Sequence, residues 1–180
     1  HLGEQVVAHV GDGARFGLRV RYVFDGPTPM GTGGALARAL PELGEAFFVL
    51  YGDSYLECDY RAVETTFRAS GRQALMTVCR NDDQWDRSNV LFEDGHIARY
   101  DKSGTVPGMR HIDYGLGAFR AEAFAGRAGQ AFDLVSVFQA CLASGQLAAF
   151  EVPTRFFEIG SPTGLEATRE HILRKEHERR

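Results

Sequence analysis

The chain switches between two hydrophobic rhythms, and the switches outline its elements. Residues 46–51, AFFVLY, and 74–79, ALMTVC, are short continuous apolar runs, the pattern of strands covered on both faces. Residues 19–24, RVRYVF, alternate polar and apolar, as a half-buried strand does. Helices are predicted over 60–69, capped by Asp59 and stopped at Ser70-Gly71, and over 134–143, broken by Gly145. A last helix is predicted over 162–174, where Pro162 suits the first turn. A glycine-rich turn at Gly31, Thr32, Gly33 and Gly34 leads into a helical run over 35–40. Residues 2–10 carry mixed signals and read as the end of a helix before the turn Gly11-Asp12-Gly13.

Beyond residue 80 the rhythm changes. Residues 88–93 and 96–100 are short strands joined by Asp94-Gly95, a two-residue hairpin signal. Residues 112–119, IDYGLGAF, form an apolar strand whose two glycines suggest close approach by a ligand or another backbone. Strands are also predicted over 147–152 and 156–159. The order βαβαβ, then a hairpin and mixed elements, predicts an α/β fold with a mainly parallel central sheet and a small antiparallel annex. No repeat or linker divides it, so residues 1–180 read as one domain.

Composition narrows the chemistry. No apolar run approaches a membrane span, and the formal charge of −4 argues against a nucleic-acid surface. It does not argue against nucleotides, because one divalent cation and a few amides neutralise a triphosphate locally. Cys58, Cys79 and Cys141 lack C-x-x-C spacing and read as reduced residues of a cytoplasmic protein. The histidines show no metal-ligand spacing. Lysine occurs only at Lys102 and Lys175, which makes Lys102 the one internal ammonium.

The most informative stretch is 27–56, PTPMGTGGALARALPELGEAFFVLYGDSYL. Glycines at 31, 33 and 34 let a ligand reach the backbone where a helix begins. Asp53 follows a strand, and in open α/β sheets ligands gather outside the carboxyl ends of strands. Taken alone, Asp53 reads equally as an N-cap. Chemistry on a phosphate through Mg²⁺ asks for a second carboxylate. Glu158 is the best candidate, a charge in the apolar run Phe156-Phe157-Glu158-Ile159 before the turn into the last helix. Taken alone, it also reads as an edge-strand residue facing water.

Together, MGTGGAL, the apolar run and GDSY resemble the sugar-1-phosphate nucleotidylyltransferases, and the resemblance covers nearly the whole chain in order. It implies a Rossmann-like nucleotidyltransferase fold and the reaction of an NTP with a sugar 1-phosphate to give an NDP-sugar and pyrophosphate. It also implies nucleotide binding along Gly31, Thr32, Gly33 and Gly34, and Mg²⁺ held by Asp53 and Glu158. The family's late segment reads Asp-Ile-Gly-Thr-Pro, where this chain has Glu158-Ile159-Gly160-Ser161-Pro162, keeping the charge on a longer arm. The resemblance further implies that Asn89 and Asp101 take sugar hydroxyls and that Lys102 takes the sugar phosphate, giving it a catalytic part beside Asp53. The strand carrying Asp113, Tyr114 and Gly115 would close over the sugar. Taken alone, Lys102 reads as a solvated charge beside Ser103-Gly104, and Tyr114 as a core aromatic.

The family's opening G-G-x-G-T-R loop is not found in the sequence. His1-Leu2-Gly3-Glu4-Gln5 resembles the segment just after it, so the chain is expected to lack its natural N-terminus and to be weakly active or inactive. Two alternatives remain open: a non-catalytic nucleotide-sugar-binding or regulatory module, and a glycosyltransferase with an NDP-sugar donor. The latter normally carries Asp-x-Asp, which Gly52-Asp53-Ser54-Tyr55 is not. Base and sugar stay open, with a lean toward a manno-type sugar or heptose with GTP. A homo-oligomer is possible, since helix 134–143 suits a core or an interface.

Overall fold

The structure, a computed structural model, describes residues 2–103 and 106–178, so His1 and Gly104 lie outside the described residues. The helices are α1 (Gly3–Val10), α2 (Gly31–Ala39), α3 (Tyr60–Ser70), α4 (Val135–Ala143) and α5 (Pro162–Glu178). The strands are β1 (Ala46–Leu50), β2 (Ser54–Tyr55), β3 (Ala74–Arg80), β4 (Val90–Glu93), β5 (His96–Tyr100), β6 (His111–Arg120), β7 (Leu147–Glu151) and β8 (Phe157–Glu158). The main sheet runs β5-β4-β6-β3-β7, with β1 also paired to β6, and β2 and β8 form a separate two-stranded ladder.

At its centre the sheet is buried on both sides, with the side chains of β3 and β6 pointing alternately to the two faces. Met76, Val78 and Phe119 join α2 and α4 on one face through Ala37, Val137, Phe138 and Cys141. Leu75, Cys79, Ile112, Tyr114 and Leu116 meet Val63 and Phe67 of α3 on the other. Helix α4 therefore turns its apolar side to the core. At the hairpin, Asp94 and Gly95 both have positive φ, and Glu93 faces His96, as the two-residue turn requires. Asp59 caps α3 by accepting from the Arg61 and Ala62 amides, and Ser161 does the same for α5 through the Gly164 amide.

Several sequence expectations are corrected here. The α/β architecture holds, but the sheet's ladders are mostly antiparallel: only β3–β7 is parallel among the described residues. β1, β3 and β7 share one direction, and β6 runs against them. β6 arrives from a hairpin and loop, not from a crossover helix, so it enters reversed. Hydrophobic pattern does not encode strand direction. β1 is also not covered on both faces. It pairs only with β6, and Phe48 and Leu50 are 40% and 47% exposed. Residues 19–24 form no strand, because no partner ladder meets them among the described residues. The glycine segment is not a turn before a helix but the first turn of α2 itself.

A polar clamp fastens α5 beside β2. Glu57 accepts from the Tyr55 hydroxyl, from His171 Nε2 at 3.1 Å, and from Lys175 Nζ. The Lys175 hydrogen bond foremost, with those of Tyr55 and His171, holds the Glu57 carboxyl below its ordinary value against the opposing effect of burial. A depressed carboxylate pKa contributes stability above the unfolded value and loses it as pH falls through the folded one. Glu57→Gln is therefore expected to cost stability at neutral pH and to converge with wild type in acid. Thermal melts from pH 7 down to about 3 check this, and a constant gap between the two proteins across that range would rule the clamp out.

Candidate active site

β6 builds the site by being irregular. Opposite β3 its register slips between Met76–Gly117 and Val78–Asp113, so β6 spends four residues where β3 spends two. The bulge re-aims side chains, as bulges beside functional sites do. Gly115 sits at φ +93, a conformation that favours glycine, and a Cβ there would make a tight 3.3 Å contact with Ser54 Oγ. Along the other edge of β6, β1 ends at Leu50–Leu116 and β4 begins at Val90–His111. The stretch 112–115 between them has no strand partner on that edge. Asn89 closes the gap, its Oδ1 accepting from the Asp113 amide at 2.9 Å.

A cavity of about 350 Å³ opens there, lined by Asp53, Asn89, Lys102, Asp113, Tyr114, Gly115 and Glu158 among others. Residues far apart in sequence thus converge. Asp53 and Glu158 are brought together by the β2–β8 ladder, which pairs Ser54 with Glu158, and by the Ile159 amide donating to the Asp53 carbonyl at 2.9 Å. A Cβ placed on Gly160 would lie 3.4 Å from Asp53 Oδ2 and 3.9 Å from Glu158 Oε1, so both carboxylates flank one point. Neither carboxylate accepts a hydrogen bond from a described residue. Two open, exposed carboxylates suit Mg²⁺, which takes one or two carboxylates and fills its octahedron with phosphate and water oxygens. No cluster of three or more metal-ligating side chains exists among the described residues.

Asp113 is the hub of the opposite wall. Its Oδ2 accepts from the Tyr100 hydroxyl at 3.0 Å and its Oδ1 from the Gly115 amide at 3.1 Å. The protein crowded around it pushes its pKa up, opposed by the Gly115 amide, the Tyr100 hydroxyl and the nearby Lys102 charge. Tyr51, at the end of β1, is raised to about 12 by burial and then by Asp113, Asp133 and Asp53, so at neutral pH its phenol is a neutral donor. Lys102 Nζ stands 5.7 Å from the centre of the Tyr51 ring.

Two predicted groups lie elsewhere. Asp101 does not line the cavity: its Oδ1 accepts from the Ser103 amide and hydroxyl at 2.9 and 2.6 Å, closing a local turn. Gly31, Gly33 and Gly34 seat α2 against 130–134. The Phe132 carbonyl accepts from the Gly33 and Gly34 amides, and Thr32 Oγ1 accepts from the Leu134 amide. Asp86, Arg87, Ser54 and Tyr51 line the cavity without having been singled out in the sequence. Only the folding of the β3–β4 and β1–β2 connections puts them there, and no spacing signal marks them.

No protein-family model matches the chain. Solved structures do. A protein from Bacillus anthracis assigned as a glucose-1-phosphate thymidylyltransferase, solved with a sucrose, matches with a TM-score of 0.78 at 19% identity, covering 93% of this chain and 70% of that one. HddC from Yersinia pseudotuberculosis, complexed with GMP-PN, matches with a TM-score of 0.74 at 20% identity, covering 94% and 74%. The inositol-1-phosphate CTP transferase from T. maritima matches with a TM-score of 0.65 at 18% identity, covering 91% and 66%. The fold is that of the sugar-phosphate nucleotidyltransferases. No helix among the described residues is long and apolar enough to cross a membrane.

Proposed function

We propose that the chain carries the chemistry of a cytoplasmic sugar-1-phosphate nucleotidylyltransferase: a sugar phosphate oxygen bonds to the α-phosphorus of an NTP as the bond from that phosphorus to pyrophosphate breaks. The observation that supports this most is the meeting of Asp53, Glu158, Lys102, Asn89 and Asp113 in one cavity, in this fold. The nucleophile is already anionic, so the protein's task is positioning and charge neutralisation and not proton removal. Asp53 and Glu158 are the residues that would hold Mg²⁺, which when bound neutralises charge at the α-phosphate. Lys102 offers a compact positive charge to the sugar phosphate. Asn89, Asp113 and the Gly115 strand offer hydrogen-bonding groups to sugar hydroxyls, and Tyr114 supports that strand from the core side.

Nucleotide binding at the start of α2 rests on the amides of Gly31 and Thr32, since those of Gly33 and Gly34 are spent on Phe132. The likeness to HddC, solved with GMP-PN, supports a guanine nucleotide and so the manno-type or heptose branch. The likenesses to a thymidylyl enzyme and a CTP transferase keep other bases in the test. The experiment crosses each NTP with a panel of sugar 1-phosphates and Mg²⁺ and measures pyrophosphate. It is run on this chain and on any longer form carrying a G-x-G-T-R loop. Release that needs one NTP and one sugar phosphate together is the expected result. No release from any pair in a folded, loop-bearing protein would favour a binding module.

A further inference from the structure

The connection from β3 to β4 is built more rigidly than a surface loop needs to be. Asn81, 1% exposed, donates through Nδ2 to the Asp86 carbonyl at 2.6 Å and to Ser88 Oγ at 3.1 Å, and its Oδ1 accepts from the Trp85 amide. Ser88, 2% exposed, accepts from the Asp83 amide, and the Ser88 amide donates to Asp83 Oδ1 at 2.7 Å. Asp82 and Asp83 are held at φ of 46 and 59, an uncommon conformation for residues other than glycine. Asp82 is gripped by Arg80 at 2.9 Å and Arg110 at 2.5 Å. Strain persists only where surrounding bonds over-determine it, and such places cluster at functional sites.

What this loop presents is Arg87. It is held at its backbone, the amide donating to Asp86 Oδ1 at 2.7 Å, and the residue is part of the wall of the cavity shared by Lys102, Asn89 and Asp113. Among the described residues the guanidinium makes no hydrogen bond and no ion pair. Its charge acts through space on Asp83, whose carboxyl is held down chiefly by the Ser88 hydrogen bonds and only then by Arg87. A cation on a braced loop, in the wall of a cavity and bonded to no carboxylate among the described residues, is suited to receive an anion supplied by a ligand. A guanidinium presents a planar fork of donors that fits phosphate oxygens bidentately, whereas an ammonium acts as a point charge.

We propose that Arg87 clamps the phosphate monoester of the sugar 1-phosphate together with Lys102, an inference that rests on the nucleotidylyltransferase reading and adds a residue to it. Arg87 supplies the orientation and Lys102 the charge, so the attacking oxygen is fixed in direction. The test is calorimetric titration of the chain with a panel of hexose 1-phosphates and with the parent hexoses. Arg87→Gln is expected to weaken the sugar phosphates about tenfold or more, to flatten their salt dependence, and to leave the parent hexoses and the melting temperature unchanged. Arg87→Lys should recover part of the loss. Unchanged sugar phosphate affinity in Arg87→Gln, or an equal loss for the parent hexoses, overturns the clamp and leaves the nucleotidylyltransferase reading standing. A wild-type chain that binds no sugar phosphate overturns both.

Discussion

Asp53→Ala is expected to lower turnover by about two to three orders of magnitude, the usual result of removing one group that stabilises transition-state charge, while the protein folds as before. The carboxylate is exposed, accepts no hydrogen bond from a described residue, and flanks Glu158 across the β2–β8 ladder. The structural contact at this position belongs to the backbone, whose carbonyl accepts from Ile159, and alanine keeps it. The stability change should stay within about 0.5 kcal/mol. The measurement is kcat against Mg²⁺ concentration in the loop-bearing protein, beside a thermal melt. A variant that turns over near normally with an unaltered Mg²⁺ requirement would falsify the metal assignment for Asp53.

Gly31→Ala should have the opposite signature, a large loss of stability. Gly31 sits at φ +70, and a Cβ there would lie 2.6 Å from the Phe132 carbonyl oxygen. That oxygen already accepts from the Gly33 and Gly34 amides, so it cannot move aside without breaking the bonds that seat α2. Left-handed strain and overpacking each cost about 1–3 kcal/mol, and together about 3 kcal/mol is expected. For a chain of this size that is a fall in Tm of about 6–12 °C. Calorimetry checks it, and a Tm within a degree of wild type would show that the contact with 130–134 is not what fixes this glycine.

These two expectations also separate what is legible in sequence. Asp53 and Glu158 could be paired in advance because the resemblance ordered them, and the β2–β8 ladder then brought them to one cavity. Asn89, Lys102, Asp113, Tyr114 and Gly115 converge there too. Asp101 did not follow, because an aspartate two residues before a serine can satisfy itself locally, and the Ser103 amide and hydroxyl outcompete a distant cavity. The sequence marks the glycine segment as a place where a ligand reaches the backbone, and the fold also brings protein there. What approaches it is the chain's own Phe132, about a hundred residues on, a partner no local pattern can name.

By itself, then, the sequence determined where most of the elements lie, residues 19–24 excepted, that 74–79 is a buried strand, how the 94–95 turn is made and which charged residues are out of place for a pure core. Those follow from period, capping and turn chemistry, all of which act over a few residues. Only the tertiary structure decided that β6 enters reversed and bulged, that β1 leaves Phe48 and Leu50 open, and that Arg87 joins the cavity wall. Direction, register and the aim of a loop depend on pairing between segments far apart in the chain. Each ladder there is chosen by the sum of many weak contacts, and no single stretch of residues carries that sum.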